Sequence, residues 1–299
     1  MNVAFDQRRN ADEILAAGEF PLTRRDLAEI ASMIYSDAGI ALNETKASLV
    51  YSRLSKHIRQ LGLKNFREYC HLVASPEGAA PRREMLSFLT TNFTRFFREN
   101  HHFDHLRTDV LPELVNRLKA GGRGRIWSAA SSDGQEPYSI ALTALSVCPN
   151  IAEYDFRILA TDIDPKILAA ARLGAYDAAA LESVNPQMRK QFFQDVTIDG
   201  KRKHQVTDAV KRLITYNELN LMAPWPFKGK FDVIFCRNVV IYFDEPTQMR
   251  IWSRFADLLP VGGTLYIGHS ERVSGDAKGA FDNTGITTYR YNGKPGGKG

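Results

Sequence analysis

The chain has 299 residues, of which 44% are hydrophobic and 24% are charged, and its formal net charge is +5. A chain of this length can hold one large domain, or a large domain and a small one. No apolar run approaches the roughly 20 residues of a membrane-spanning helix, and the N-terminus lacks the apolar core of a secretory signal. The positive charge tolerates anionic partners, but no basic run interleaved with aromatics favours nucleic acid.

The three cysteines, Cys70, Cys148 and Cys236, are far apart and form no C-x-x-C pair. We therefore predict small core residues instead of a disulfide or a thiolate metal site, and a reducing cytoplasm as the compartment. His101 and His102 are poor candidates for a shared metal site, because adjacent helical residues point in different directions. The sequence thus predicts no metal.

The first part of the chain is predicted to be mostly helical. Residues 1–19 read as a poorly ordered arm with a short helix, and residues 20–80 as a helical domain without strand-like alternation. Residues 75–81 have the composition of a linker. Residues 81–123 are predicted to continue as a linker and helices, with a break near Asn92.

One helix of the first domain carries a basic face opposite its apolar stripe. This face contains Arg53, Lys56, His57 and Arg59, and the helix is predicted to end at Gly62. Two interpretations remain open for it: a solvated surface, or a docking face for an acidic helical partner.

The run Thr90–Glu99, T-T-N-F-T-R-F-F-R-E, places three threonines, an asparagine and two arginines among three phenylalanines. Polar groups held by an aromatic framework suit a ligand that is partly charged and partly flat. The alternative is an amphipathic connecting helix whose phenylalanines fill the core.

Strands alternate with helices from about residue 124 to 292. The predicted strands are 125–130, 156–161, 213–216, 231–236, 264–269 and 286–291, and the predicted helices are 137–147, 165–173 and 245–259. Such alternation favours a mostly parallel α/β sheet covered by helices on both faces. A hairpin with an Asp199-Gly200 turn is predicted as an insertion at about 190–212, and residues 293–299 as a flexible tail.

The residues that follow each predicted strand form the candidate site, because ligands of an open parallel sheet bind beyond the carboxyl ends of its strands. Glu136 opens the helix after the first of these strands, where it binds a ligand ammonium group or only complements the helix dipole. Asp162 ends the second strand and is placed to accept hydrogen bonds from ribose hydroxyls. Asp164, directly before Pro165, is the better helix N-cap.

Further polar residues follow the other strands. Arg237 and Asn238 come directly after an apolar run, with Tyr242 four residues further on, and Asn220-Leu221 can frame a flat base. No G-x-G-x-x-G follows the first of the alternating strands, which argues against a dinucleotide. An acid for a ribose without a pyrophosphate cradle points to S-adenosylmethionine.

The chain resembles the CheR-type chemotaxis methyltransferases, which esterify glutamates of bacterial chemoreceptors. The resemblance runs from about residue 20 to 291 and rests on five motifs in order: T-N-F-T-R-F-F-R-E, W-S-A-A-S-S-D-G-Q-E-P-Y-S-I-A, A-T-D-I-D, F-D-V-I-F-C-R-N-V-V-I-Y-F and G-H-S-E. It implies a small all-α N-terminal domain and a class I S-adenosylmethionine-dependent methyltransferase fold. That fold is a mostly parallel, doubly wound sheet with a closing antiparallel strand, here with an inserted β-subdomain.

The resemblance also implies site residues and partners. The expected cofactor-binding residues are Asn92, Thr94, Arg98, Glu136, Asp162, Asn220, Leu221, Arg237 and Asn238. Arg98 and Tyr242 are expected beside the transferred methyl group, and the substrate-docking residues are Arg53, Lys56 and Arg59. The implied substrate is a glutamate of the cytoplasmic helical domain of methyl-accepting chemoreceptors, and the implied product of the cofactor is S-adenosylhomocysteine. Membrane insertion is not expected.

One departure from the family pattern concerns the segment after the first of the alternating strands. The family usually has S-T-G-E-E-P-Y where this chain has S-D-G-Q-E-P-Y. Asp133 and Gln135 are therefore the differing residues, and the carboxylate of Glu136 is kept. We expect cofactor binding to be retained, with a possible difference in affinity.

Two other classes of function stay open from the sequence alone. A nicotinamide-dependent oxidoreductase would use the same kind of sheet, and the missing G-x-G-x-x-G argues against it. A non-catalytic module could sense S-adenosylmethionine or scaffold a signalling complex. The presence of Arg98, Asp162 and Tyr242 argues against loss of activity.

Overall fold

The computed structural model describes residues 11–90 and 92–294, so most of the predicted N-terminal arm and C-terminal tail lie outside the described residues. By its internal contacts the chain divides into two compact units. The first unit is the chain up to Thr91 together with Tyr242–Asp244, and the second is the remainder. The predicted stretch 81–123 is therefore divided between the two units and does not stand apart.

Within residues 11–90 the first unit contains two short strands and four α-helices. They are β1 (Ile14–Ala16), β2 (Leu22–Thr23), α1 (Arg24–Ala38), α2 (Ala47–Gln60), α3 (Phe66–Ala74) and α4 (Ala79–Leu89). α1 begins with a reciprocal capping box between Thr23 and Asp26 and ends at Gly39, whose φ of 71° suits glycine. α2 ends before Gly62, which has a φ of 69°, as predicted.

Two predictions for the first unit are wrong. Residues 14–16 form β1, which pairs antiparallel with β2, where a short helix was expected. Residues 75–81 are not a linker, because Pro76–Gly78 forms a short 3-10 helix that leads directly into α4. Pro81 lies in the first turn of α4, where a missing backbone N–H removes no intrahelical hydrogen bond.

His57 belongs to neither a solvated surface nor a docking face of α2, the two interpretations left open for the basic face. Its side chain is only 2% exposed. The Nδ1 atom lies 3.1 Å from the Tyr69 hydroxyl on α3, and Nε2 lies 2.9 Å from a carboxylate oxygen of Glu84 on α4. α2 therefore buries His57 among its helical neighbours, a role that the amphipathic pattern alone does not reveal.

Arg53 has a structural role at the end of α4. Its Nη1 atom donates hydrogen bonds of 3.0–3.2 Å to three backbone carbonyls, those of Phe88, Leu89 and Thr90. These carbonyls lack helical partners because they belong to the last turn. On the predicted basic face, Lys56 and Arg59 are the exposed cations, and Arg59 pairs with Glu19.

The described part of the second unit contains ten strands and seven α-helices. The strands are β3 (Gly124–Ala129), β4 (Phe156–Asp162), β5 (Ala175–Tyr176), β6 (Phe193–Ile198), β7 (Lys201–Val206), β8 (Ile214–Glu218), β9 (Val233–Cys236), β10 (Thr264–Ile267), β11 (Phe281–Gly285) and β12 (Thr288–Tyr291). The helices are α5 (His101–His105), α6 (Leu111–Lys119), α7 (Gln135–Val147), α8 (Pro165–Leu173), α9 (Pro186–Phe192), α10 (Asp208–Lys211) and α11 (Glu245–Leu258).

Seven of these strands form one sheet, in the order β11-β12-β10-β9-β3-β4-β8. The pairs β8–β4, β4–β3, β3–β9 and β9–β10 are parallel, and β12 is antiparallel to both of its neighbours. This confirms the predicted mostly parallel sheet with a closing antiparallel strand. The chain moves outward from β3 through β4 to β8 and then returns to the other side of β3. The strand order thus reverses at β3, where ligands of such sheets bind.

The inserted β-subdomain is a three-stranded antiparallel sheet in the order β5-β7-β6. Asp199 and Gly200 join β6 to β7 with φ angles of 49° and 72°, which are the positive values of a type I′ turn, so the predicted D-G hairpin is confirmed. The subdomain begins earlier than predicted, at Ala175, because β5 pairs with β7.

The core of the second unit lies on both faces of the main sheet. β9 and β10 are buried along their whole lengths, which is why they read as continuous apolar runs. Cys70, Cys148 and Cys236 are all buried, as predicted. Among the described residues, no helix combines the length and the apolar character needed to cross a lipid bilayer.

Candidate active site

Asp162 ends β4 with a carboxylate that is held in place by backbone donors. Its Oδ2 accepts the N–H of Ser132 at 2.8 Å, and its Oδ1 accepts the N–H of Asp164 at 3.1 Å. Asp164 caps α8 by accepting the N–H of Lys166 at 2.9 Å, as predicted. Asp162 is therefore not the N-cap, and its carboxylate lies against the loop that follows β3.

Three charged side chains meet at the carboxyl ends of β3 and β9, and we call them the charge cluster: Glu99, Glu136 and Arg237. Arg237 Nη1 lies 3.2 Å from Glu136 Oε2, and Arg237 Nη2 lies 3.3 Å from Glu99 Oε2. The arginine side chain is 2% exposed and each carboxylate side chain is 12% exposed. Two carboxylates share one guanidinium, so the ionised cluster has a net charge of −1.

Arg237 opposes the effect of burial on both carboxylates of this cluster, with a different net result for each. Burial by itself raises the pKa of Glu99, but the Arg237 cation and the hydrogen bonds from His269 bring it down to about 2. Burial raises the pKa of Glu136, against the opposing influence of Arg237 and of Ser128, whose Oγ donates a hydrogen bond at 2.7 Å. Glu99 is thus a permanent anion at neutral pH.

The segment Asn92–Glu99 is not a helix, so the alternative of an amphipathic connecting helix is wrong. Side chains of α7 hold its backbone instead. The Phe96 N–H donates to Gln135 Oε1 at 3.0 Å, and the Phe97 N–H donates to Ser139 Oγ at 3.0 Å. Phe96 is fully buried. An irregular segment is thereby fixed along the mouth of the site.

Five non-glycine residues at this edge of the sheet have left-handed backbone conformations. They are Phe97 (φ 51°), Glu99 (57°), Ala130 (62°), Ser132 (51°) and Asn238 (59°). Each such residue costs on the order of 1–3 kcal/mol and persists only where its surroundings enforce it. Concentrations of this kind are typical of ligand clamps and active sites.

Comparison with known proteins gives two consecutive family matches. Residues 92–290 match the CheR methyltransferase, SAM binding domain, and residues 25–90 match the CheR methyltransferase, all-alpha domain. The chain belongs to the CheR methyltransferase family. It is therefore an S-adenosylmethionine-dependent methyltransferase of the class I fold, which confirms the fold and cofactor expected from the resemblance.

Three relatives illustrate how far the similarity extends. A probable chemotaxis protein methyltransferase of Rhizobium etli is 81% identical over 87% of this chain and 97% of that protein. Chemotaxis protein methyltransferase 2 of Pseudomonas aeruginosa is 42% identical over 85% of this chain and 88% of its own length. The chemotaxis protein methyltransferase of Escherichia coli is 39% identical, with 82% and 83% covered.

The residues of this CheR methyltransferase fit S-adenosylmethionine at the switch point, which is the edge of the sheet beside β3 where the strand order reverses. The charge cluster has a net negative charge, which suits a ligand that carries a sulfonium and an ammonium group. Within the described residues, Ser131 Oγ and Arg237 Nε are buried polar atoms without a hydrogen-bond partner, and a polar ligand can satisfy them. Asp162, which accepts the N–H of Ser132 directly after Ser131, is an acceptor at the same edge of the sheet.

The other predicted cofactor residues lie on neighbouring loops. The carbonyl of Asn92 accepts a hydrogen bond from Ser132 Oγ at 2.8 Å, and Thr94 is half-buried in the same segment. Arg98 donates from Nη1 to the carbonyl of Phe93 at 3.0 Å. These contacts bring Asn92 next to the loop after β3 and set the course of the chain between Phe93 and Arg98.

Asn220 and Leu221 follow β8, beside Asp162. The N–H of Leu219 donates to the Asp162 carbonyl at 2.9 Å, which brings the two strand ends together. Asn220 Oδ1 accepts the N–H of Met222 at 2.8 Å, and Leu221 is buried. Their placement next to the acid agrees with the predicted role of framing a base, which stays a prediction.

Tyr242 ends a short 3-10 helix that begins at Val240, and it belongs to the first unit. Its carbonyl accepts the N–H of Ala41 at 2.9 Å. Its neighbour Asp244 accepts a hydrogen bond from the Tyr35 hydroxyl at 2.7 Å. The predicted role of Tyr242 beside the methyl group stays a prediction.

Sequence reasoning missed Glu271, the last residue of the G-H-S-E motif. Glu271 is 4% exposed. Its carboxylate accepts hydrogen bonds of 2.5–3.0 Å from four backbone N–H groups, those of Gly268, Asn238, Val239 and Val240. It therefore ties the loop after β9 to the loop after β10 and supports the left-handed Asn238. The motif marked the residue, but three of its partners lie 31–33 residues earlier in the chain.

We expect cofactor affinity to depend on the charge of Asp162. Burial raises the pKa of Asp162 to about 6, although the N–H groups of Asp164 and Ser132 oppose the shift. The ionised carboxylate is the stronger acceptor for the ribose hydroxyls that we expect it to bind, so affinity should be full well above pH 6 and should decline as the carboxylate is protonated. Between pH 7 and pH 5 the affinity for S-adenosylhomocysteine should fall about tenfold.

Titration calorimetry across this pH range measures the effect, and Asp162→Asn is its control. The amide does not titrate, so this variant should lose the part of the decline that belongs to Asp162. An unchanged pH profile in the variant would show that another group causes the decline.

Proposed function

We propose that this protein transfers the methyl group of S-adenosylmethionine to glutamate side chains of bacterial chemoreceptors, as a protein-glutamate O-methyltransferase. The products are a glutamate methyl ester and S-adenosylhomocysteine. The observation that carries the proposal is the anionic charge cluster beside Asp162 at the switch point, a site suited to a cationic methyl donor. The names of the chemotaxis relatives support chemoreceptors as substrates. We also propose that the protein acts at receptor arrays on the cytoplasmic side.

The chemistry needs little from the protein except position. When bound, S-adenosylmethionine supplies a methyl carbon activated by its sulfonium. An exposed glutamate has a pKa of about 4.3 and is already an anionic nucleophile at neutral pH. Its oxygen forms a bond to the methyl carbon while the carbon–sulfur bond breaks and its electron pair goes to sulfur. No general base is required, and positioning can supply roughly 7–11 kcal/mol of the barrier reduction.

Each proposed role follows from the chemistry of the side chain. Arg98 steers the receptor carboxylate, because a guanidinium forms strong charge-assisted contacts with carboxylates. Glu136 and Arg237 bind the amino-acid end of the cofactor through its ammonium and carboxylate groups. Asp162 binds the ribose. We propose that the Tyr242 hydroxyl donates a hydrogen bond that orients the receptor carboxylate.

Transfer of radiolabelled methyl to a chemoreceptor cytoplasmic fragment tests this function. Methyl esters are hydrolysed by mild alkali, so we expect label that is released as methanol on base treatment. A receptor fragment whose methylation-site glutamates are changed to alanine is the matched control and should accept no label. Base-stable label, or none with folded protein, would reject carboxylate methylation.

The exposed cations of α2 are our proposed docking face for the acidic receptor helices. Lys56 and Arg59 are exposed, and the exposed ion pair of Arg59 with Glu19 is exchangeable because such pairs are weak. Arg53 lies on the same helix but is engaged at the end of α4. We therefore place docking mainly on Lys56 and Arg59, with Arg53 as their support.

Reversal of both charges, in Lys56→Glu/Arg59→Glu, should raise the KM for receptor by about three- to tenfold. Cofactor affinity should not change, and the difference from wild type should shrink with added salt. Lys119→Glu, at an exposed position of α6 in the second unit, is the control for a general charge effect. Equal KM values for wild type and the double variant at low salt would leave α2 as a solvated surface.

A further inference from the structure

The cluster contains one residue to which the proposed cofactor and substrate contacts assign no role, Glu99. Its side chain is 12% exposed, and its two oxygens differ: Oε1 is hydrogen-bonded, whereas the buried Oε2 has an ion-pair partner but no hydrogen bond. Oε1 accepts the N–H of His269 at 3.2 Å, lies 3.0 Å from its Nδ1 and lies 3.4 Å from Nδ2 of Asn238. Oε2 lies 3.3 Å from Arg237. One carboxylate thus connects the loops after β9 and β10 to the segment Asn92–Glu99.

We propose that Glu99 is a positioning residue of the methyl-transfer site, which acts as the counterion of Arg237 and so keeps the Glu136 carboxylate available to the cationic cofactor. This inference rests on the proposed function for its effect on turnover. Its effect on cofactor recognition can be measured without a receptor.

Charge balance is the first argument. Arg237 lies between two carboxylates, at 3.2 Å from Glu136 and 3.3 Å from Glu99. Without the Glu99 charge, one guanidinium would face one carboxylate and the net charge would change from −1 to 0. The Arg98 guanidinium is a further cation at the site, because it too lowers the pKa of Glu136. Without Glu99 the cations would therefore outnumber the carboxylates, and the site would repel a sulfonium. A buried charge is poorly screened by solvent, so its removal changes the electrostatic potential over several ångströms.

The surroundings of Glu99 do not cancel its charge. His102 Nδ1 lies 3.6 Å from Oε2, but burial, with Arg237 and His101 nearby, lowers the pKa of His102 to about 3, so it is neutral at physiological pH. His269 is the other partner, and its ring is 65% exposed to solvent, which screens it. Arg237 therefore remains the main counterion.

Backbone geometry is the second argument. Glu99 has a φ of 57°, a conformation that its contacts must enforce. Arg237 Nη2 also donates to the carbonyl of Arg98, the residue directly before Glu99. The same guanidinium thus holds the Glu99 carboxylate and the Arg98 backbone. By holding Arg237, Glu99 thus helps to fix the backbone of Arg98. The Arg98 side chain is proposed to steer the receptor carboxylate.

The amide in Glu99→Gln should separate these effects from a plain loss of folding. Glutamine keeps the size and one acceptor oxygen for His269, but its NH2 group would face the donors of Arg237, and the charge is lost. We expect affinity for sinefungin, which is cationic where the cofactor is a sulfonium, to fall about tenfold more than affinity for S-adenosylhomocysteine. Titration calorimetry gives both constants.

Three further variants serve as controls. Glu99→Asp keeps the charge and shortens the reach, so it should keep the ratio of the two affinities and lower kcat with a receptor fragment. His269→Asn removes a hydrogen-bonding partner without changing Arg237 and should also keep the ratio. Glu113→Gln, at an exposed position of α6, should match wild type in every measurement. Thermal unfolding of each variant reports whether it is folded.

The outcomes are distinct. If Glu99→Gln weakened both ligands by the same factor, or neither, the counterion role would be overturned. If Glu99→Gln failed to fold, Glu99→Asp would decide, because a large loss of sinefungin selectivity in that charged variant would contradict the proposal. A selective loss of sinefungin, together with no methylation of receptor by wild type, would instead reject the proposed function and leave the role of Glu99 intact.

Discussion

Arg98→Ala is expected to lower kcat for receptor methylation by about 100- to 1,000-fold. Removing one preorganised donor that faces a reacting oxygen typically costs about 2.7–4 kcal/mol in the transition state. In the proposed reaction the Arg98 guanidinium is this donor. The Arg98 carbonyl is held by Arg237, so the side chain starts from a fixed backbone. The measurement is the initial rate of methyl transfer to a receptor fragment at saturating S-adenosylmethionine.

Two variants sharpen the test of Arg98. Arg98→Lys keeps the charge but loses the planar fork, so an intermediate rate is expected. Arg95→Ala removes an exposed arginine from the same segment and should leave the rate near wild type. Near-normal methylation by Arg98→Ala, with unchanged binding of S-adenosylhomocysteine, would remove Arg98 from the reaction.

Asp162→Ala is expected to weaken S-adenosylhomocysteine binding by about 10- to 150-fold. The interaction that we propose to be lost is a charge-assisted hydrogen bond to the ribose, and such bonds typically contribute about 1.5–3 kcal/mol. The carboxylate is already ordered by the N–H groups of Ser132 and Asp164, so little ordering is needed when ligand binds. Titration calorimetry at pH 7.5, well above the titration of Asp162, gives the affinity of each protein.

The same substitution also leaves two backbone donors without their acceptor, so part of its effect could come from the loop itself. Asp162→Asn separates the two, because the amide oxygen can still accept from Ser132 while the charge is lost. We expect Asp162→Asn to bind more weakly than wild type and to unfold at nearly the same temperature. If Asp162→Ala bound S-adenosylhomocysteine with wild-type affinity, the proposed ribose-binding role of Asp162 would be rejected.

Much of the sheet was predictable because its strands are buried on both faces. β9 is apolar at every position, and β10 is apolar after Thr264. β11 was missed, because its residues after Phe281 are polar and exposed at the edge of the sheet. Nothing in a polar edge strand distinguishes it from a loop until its partner β12 is known.

Within the site, residues at strand ends were predictable and their supports were not. Asp162, Glu136 and Arg237 follow from the rule that ligands bind beyond the carboxyl ends of parallel strands. Glu99 and Glu271 end two of the motifs, but their partners are distant in sequence, so local patterns do not reveal the contacts that they make. His57 was misjudged for a related reason: α2 packs against two helices, and a polar residue on its second face is buried.

Arg53 shows how a basic face can mislead. Positive side chains spaced along one helix suggest a single docking surface, yet a guanidinium is also long enough to reach the end of a neighbouring helix. The three carbonyls that Arg53 binds belong to residues 35–37 positions later. Only the fold assigns one arginine to the scaffold and leaves the others on the surface.

Calorimetric titration of the purified wild-type protein with S-adenosylhomocysteine examines the central claim most directly. The account predicts saturable binding of one nucleoside per chain, which weakens in Asp162→Ala and as the pH is lowered from 7 to 5. Absence of measurable binding by a protein that melts cooperatively would contradict the assignment of the switch point as an adenosyl pocket, and every role built on it.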